Sequence, residues 1–199
     1  SQCVGKITDT ELDICYYKAA AQYAGGDIEG ALATYQAMID YDEENGNAYY
    51  LHGCLSLKQQ DTDTAKKDFA NAVKYNPDDY ELYVGIYENL TGNNMTEEGE
   101  EYLNKAFDIK GNSAENLTWR GRIYYLLGQY DNAVKELEGA VKKDSAKANL
   151  YLAQVYEAEE DSANAEKYYQ AYVDSGTADS VAMNALAEIQ MEKGNYEAA

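Results

Sequence analysis

A small residue returns along this chain at an almost constant step. Ala31, Ala65, Gly99, Ala133, Ala165 and Ala199 follow one another at intervals of 34, 34, 34, 32 and 34 residues. Four places after the first five stand Tyr35, Phe69, Leu103, Leu137 and Tyr169, and seven places after them stand Met38, Ala72, Ala106, Ala140 and Tyr172. Offsets of four and seven place these residues on one side of a helix. A repeat of this length has room for two helices and a turn, and so small a unit cannot bury its apolar stripe alone, so the copies are expected to stack on one another. A single proline, Pro77, in 199 residues agrees with long regular elements and compact connections.

The spacing predicts first helices over 12–24, 46–59, 80–92, 114–127, 146–159 and 180–193, and second helices over 28–41, 62–76, 96–109, 130–143 and 162–175. Thr8-Asp9-Thr10-Glu11 reads as a capping box ahead of the first helix. Pro77-Asp78 closes the second copy and opens the third. Gly128 sits where a first helix must end in a left-handed residue.

The pattern resembles the tetratricopeptide repeat family. That family places an aromatic residue, Leu-Gly, Tyr, then Ala, an aromatic and Pro within 34 residues. The fourth copy carries Gly121, Tyr124, Gly128, Tyr130, Ala133, Leu137 and Ala140 in register, with Trp119 two places off the usual aromatic slot. The second offers Tyr49, Gly53, Ala65, Phe69, Ala72 and Pro77, and the fifth Leu152, Ala153, Tyr156, Ala165 and Tyr169. The sixth begins with Leu186, Ala187, Gly194 and Tyr196. The resemblance implies an all-α, right-handed α-solenoid. After a lead-in over 1–11, a single array spans 12–199, with repeats near 12–45, 46–79, 80–113, 114–145 and 146–179 and a partial one over 180–199.

Within that frame only Gly or Ala fits where paired helices cross, so Gly121 is expected to face Ala133 and Gly53 to face Ala65. The third copy departs, because Tyr87 occupies the small slot opposite Gly99. Alternatively Gly85 makes the contact and the run TGNNM forms a longer turn. The first copy is degenerate, with Cys15, Lys18 and Ala19 at the aromatic, Leu and Gly places.

Little in the chain points to chemistry. His52 is the only histidine and has no partner within the pattern, so it reads as structural. Cys3, Cys15 and Cys54 have no zinc or CxxC spacing. The run DYDEENG from Asp40 lacks the bidentate Glu of a calcium loop, Leu51 standing there instead. Carboxylate runs at Glu97–Glu101 and Glu157–Asp161 read as solvated helix faces. Asn89, Asn94 and Asn116 begin glycosylation triplets that matter only in a secreted eukaryotic protein. The expectation is a non-enzymatic protein without metal or cofactor.

The acidity bears on partners. A net charge of −20 repels nucleic acid and anionic membrane surfaces and favours neutral or basic partners. No stretch approaches the roughly 18–20 apolar residues of a membrane span. Because the chain starts SQCVGK without Met, it is expected to be a processed product, extracytoplasmic in a bacterial cell envelope and related to a lipoprotein, with a cytoplasmic location as the alternative.

The resemblance also implies a concave groove, lined by the first helices, that holds a peptide or a partner's helix. Its expected lining begins with Tyr16 and Tyr23 on the first copy, Asn47, Tyr50, Leu57 and Lys58 on the second, and Glu81 and Glu88 on the third. It continues with Glu115, Arg122 and Tyr125 on the fourth and Leu150 and Gln154 on the fifth. Tyrosine is abundant, at 21 residues against 2 Phe and 1 Trp, and supplies broad contact area at low entropic cost. The carboxylate clamp of co-chaperone members is absent, since Tyr16, Ala20 and Leu51 stand at its places. Two alternatives stay open: glycan binding by the groove tyrosines, and a structural or self-assembly role through Val181, Ala182, Met183, Leu186 and Ile189 at the C-terminal edge.

Overall fold

In a computed structural model, which describes residues 9–177, 179–192 and 194, the chain is all α-helical. The chain divides into two compact units, Ser1–Ile109 and Lys110–Ala199. The first unit holds α1 (Asp9–Ala24), α2 (Ile28–Tyr41), α3 (Gly46–Lys58), α4 (Thr62–Tyr75), α5 (Tyr80–Gly92) and α6 (Thr96–Ala106). The second holds α7 (Ala114–Leu126), α8 (Tyr130–Val141), α9 (Ala146–Ala158), α10 (Ser162–Asp174) and α11 (Ser180–Glu192). In each unit consecutive helices pair as hairpins, and the hairpins stack so that first helices meet: α3 packs on α5, and α7 on α9. This is the helical-solenoid arrangement that the 34-residue period requires.

The periodic residues are the core. Ala31, Ala65, Ala133 and Ala165 are fully buried, and so are Phe69, Leu103 and Leu137 four places after their markers. Ala199 lies outside the described residues. Helix starts are fixed by side chains: Asp27, Asn45, Asp61, Asp79 and Asp161 each accept a hydrogen bond from the backbone N–H three residues on. Ser113 and Asn116 form a reciprocal capping box at α7. The expected box at Thr8–Glu11 depends on Thr8, which lies outside the described residues. Two second helices end two or three residues earlier than expected, α6 at Ala106 and α8 at Val141, because tighter bonds close their last turns, Ile109 N–H to Ala106 O and Lys143 N–H to Ala140 O.

Gly121 faces Ala133 as expected, a Cβ there lying 3.3 Å from Ala133 O, and the small first-helix residues also make room for the large residue four places past the marker. A Cβ on Gly121 would lie 2.4 Å from Leu137 Cγ, and one on Gly53 would lie 2.9 Å from Phe69 Cε1. Gly128 is left-handed as expected, and other hairpin turns reach the same backbone without glycine. Gly26, Gln60, Asn94, Gly128, Glu160 and Gly194 all have positive φ, at the same steps of 34, 34, 34, 32 and 34 residues. In the third hairpin Gly99 meets Tyr87, whose Cδ2 is 3.1 Å from where its Cβ would be, as the large-for-small reading has it.

Candidate functional site

In the first unit the candidate residues lie on α1, α3 and α5, and several are cross-linked between neighbouring helices. Lys58 Nζ, on α3, donates to Tyr23 Oη on α1 and lies 4.6 Å from that ring's centroid. Asn89 Nδ2, on α5, donates to Tyr50 Oη on α3 at 3.3 Å. Tyr50 Oη sits in the notch left by Gly85, 2.5 Å from where a Cβ would stand, so this glycine serves the contact between first helices. Tyr16 Oη donates to Asn45 Oδ1 at 2.7 Å, tying α1 to the residue that caps α3.

Burial dominates the chemistry of these rings. It raises the phenols of Tyr16 and Tyr50 above their ordinary value, with Asn45 and Asn89 respectively opposing the rise through hydrogen bonds. Burial also pushes the Cys54 thiol up to about 11, against a smaller opposing effect of its bond to Tyr50, so this sulfur is a thiol and not a nucleophilic thiolate at neutral pH. Tyr16 and Tyr50 are therefore half-buried packing residues that show one edge, whereas Tyr23, Asn47, Lys58, Glu81 and Glu88 are exposed. Leu57 corrects the expectation: at 1% exposure it is core and offers no surface to a ligand.

In the second unit the residues lie on α7 and α9. Glu115 is exposed, while Arg122, Tyr125, Leu150 and Gln154 are half-buried. The Tyr125 ring lies 6.1 Å from that of Tyr130, and its phenol is raised by burial first and then by Tyr130 and Glu157. Arg122 is part of a cluster missed in the sequence. Its Cζ lies 5.3 Å from the Trp119 ring centroid and 5.4 Å from that of Tyr151, and Lys147 Nζ lies 5.4 Å from the same Trp119 ring. The only available signal was the displacement of Trp119 from the aromatic slot, which Leu117 fills as a buried residue.

Outside these faces, His52 has a partner after all. Its Nδ1 is 2.6 Å from Asp68 Oδ2, between α3 and α4. Arg120 and Glu136 make the equivalent pair at 2.9 Å between α7 and α8, with the same separation of 16 residues, so the position is a recurrent structural clamp. Among the described residues no group of three or more His, Cys, Asp or Glu side chains could hold a metal ion, and no helix is long and apolar enough to cross a membrane. At the C-terminal edge Ala182, Leu186 and Ile189 are buried in the cluster with Ala165, Tyr169 and Tyr172, leaving only Val181 and Met183 of the five expected residues exposed.

Models of the tetratricopeptide repeat match residues 46–79 and 120–180. No curated protein matches the chain. Among solved structures it resembles PilW, a widely conserved type IV pilus biogenesis factor, at 20% identity over 97% of this chain and 90% of that one, with a TM-score of 0.61. A thermophilic repeat protein of Thermus thermophilus is similar at 20% identity, covering 90% and 98% of the two chains with a TM-score of 0.58. YrrB, described as having an unusual peptide-binding site, is similar at 21% identity over 84% and 87%, with a TM-score of 0.50.

Proposed function

We propose that this chain, which matches the tetratricopeptide repeat over 46–79 and 120–180, is a non-catalytic scaffold whose first-helix faces bind a peptide or helix of a protein partner. The observation that carries the reading is the continuity of α1, α3 and α5 through Lys58–Tyr23 and Asn89–Tyr50. Side chains of successive first helices there meet on one surface instead of projecting independently. A preorganised surface loses little side-chain entropy on binding. The first unit has 21 acidic and 7 basic residues, net −14. With Glu81 and Glu88 exposed, it favours a neutral or basic segment. Ring stacking on a glycan has less support, because Lys58 already lies over Tyr23 and Tyr50 is lodged against Gly85.

The test is titration with a dye-labelled 12-residue peptide of Lys-Lys-Leu repeats, followed by anisotropy, on the parent chain and on a Tyr23→Ser, Glu81→Lys, Glu88→Lys variant. Saturable binding that weakens with salt and falls at least tenfold in the variant is expected. Equal binding by both proteins removes the first-unit face as the site.

A further inference from the structure

The left-handed turn residues give every first helix a common ruler. Eleven, seven and three places before them lie residues that face the second helix of the same hairpin. Tyr49, eleven places before Gln60, stacks on Tyr75 with ring centroids 5.9 Å apart. Gly53 and Gly121, seven places before Gln60 and Gly128, receive Phe69 and Leu137. Glu157, three places before Glu160, accepts a hydrogen bond from Tyr169 Oη at 2.7 Å. Counted back from Gly194, the same places on α11 hold Met183, Ala187 and Met191. Met183 is 49% exposed and Met191 52%, whereas Leu117 and Leu57, at the equivalent places, are 7% and 1% exposed. It is an adjoining side of α11, with Ala182, Leu186 and Ile189, that is buried against Tyr169 and Tyr172 of α10.

This is a receiving face, and the other hairpins define what such a face receives. Each second helix brings a small residue and, four places on, a bulky one. Where the receiving notch is Ala instead of Gly, at Ala19 and Ala153, the bulky residue in register is Tyr35 or Tyr169, so Ala187 fits an aromatic ring. The unbranched methionines on either side of it adapt to the shape of that ring. The rim is acidic: Glu188 and Glu192, one place past Ala187 and Met191, are exposed. Helix α11 has no Lys or Arg of its own, and Lys193 follows it. A basic occupant is therefore complementary, whereas a second copy of this chain, at −20, is repelled. We infer that Met183, Ala187 and Met191 receive an amphipathic, net-basic helix of a protein partner, which takes the place a second helix holds in the other hairpins. That helix turns a small residue to α11, with an aromatic residue four places on. The inference concerns the hairpin side of one helix and does not rest on the reading of the groove.

The chain's own second helices supply the probes. Helix α4 alone among them is net positive, with Lys66, Lys67 and Lys74 against Asp63 and Asp68, and it carries Ala65 and Phe69. Helix α2 has the same length and the same pattern, Ala31 and Tyr35, but Glu29 and Asp40 without a cation. Dye-labelled peptides of Thr62–Tyr75 and Ile28–Tyr41 are titrated into the whole chain and followed by anisotropy. The α4 peptide should bind saturably, weaken with salt and bind severalfold more tightly than the α2 peptide. Its affinity should fall at least tenfold in a Met183→Ser, Met191→Ser variant, which alters only exposed side chains, and in Ala187→Leu, which fills the notch. Circular dichroism and melting of the double variant should match the parent. Failure of the α4 peptide to bind at millimolar concentration overturns the inference, as does undiminished binding by both variants or equal binding of the two peptides. Light scattering that finds dimers of the parent but not of the double variant gives the face to a second copy and overturns it too.

Discussion

The two units build the same hairpin with different chemistry. Where the first unit clamps α3 to α4 with His52 and Asp68, the second clamps α7 to α8 with Arg120 and Glu136. Where the first fills its hairpin with the ring of Phe69 against Gly53, the second uses Leu137 against Gly121. The first has a net charge of −14, and the second, with 15 acidic and 9 basic residues, −6. The repeat therefore fixes where side chains of given size must lie and leaves their charge open, so one scaffold can offer surfaces of different charge density.

The comparison is broken most severely at the buried residue four places past the marker. Phe69→Ala and Leu137→Ala each leave a cavity at a fully buried site and should cost about 3–5 kcal/mol, read as the shift in denaturant midpoint. Equal retention of stability by both would mean that neither hairpin is packed as described. Gly121→Ala comes next, at about 1–3 kcal/mol, and should exceed Gly53→Ala. Its new methyl would meet the branch point of Leu137 at 2.4 Å, whereas that at Gly53 meets the edge of a ring at 2.9 Å.

The clamps come next. Asp68→Ala and Glu136→Ala should each cost about 1–3 kcal/mol by leaving a mostly buried donor without its carboxylate. Denaturant midpoints unchanged from the parent in both variants would contradict this. The smallest effect belongs to the turns. Gly128→Ala should lose about 1 kcal/mol at φ 69°, while Gln60→Gly, at φ 64°, should gain up to about 1 kcal/mol. Thermal melts of the pair, moving in opposite directions, check it.

Much of this was legible beforehand because a core repeats and a surface does not have to. The alanine ladder and the bulky residues four places on fixed the helices, since burial imposes size at each turn. Leu57 stands at a groove position that the family resemblance implies, but such a position gives a direction and not a depth: at the edge of a helix face, neighbouring side chains decide whether a residue is covered. The left-handed turns at Gln60 and Glu160 carried no glycine to announce them. The Trp119 cluster and the His52–Asp68 pair each join residues on different helices, and a one-dimensional pattern lists such residues without bringing them together.

The wealth of tyrosine sets an upper pH limit for the fold. Burial raises the phenols of Tyr16, Tyr35, Tyr49, Tyr50, Tyr83 and Tyr102 in the first unit, and of Tyr125, Tyr156 and Tyr169 in the second. A phenol that holds its proton more tightly when folded contributes stability fully below about pH 10, the value of a free tyrosine, and loses that contribution as pH climbs toward its raised folded value. Ionisation and unfolding thus drive one another, and alkali should act as a solvent-borne trigger. Near-ultraviolet phenolate absorbance should rise in a steep, cooperative step that coincides with loss of helix, with the first unit opening at lower pH than the second.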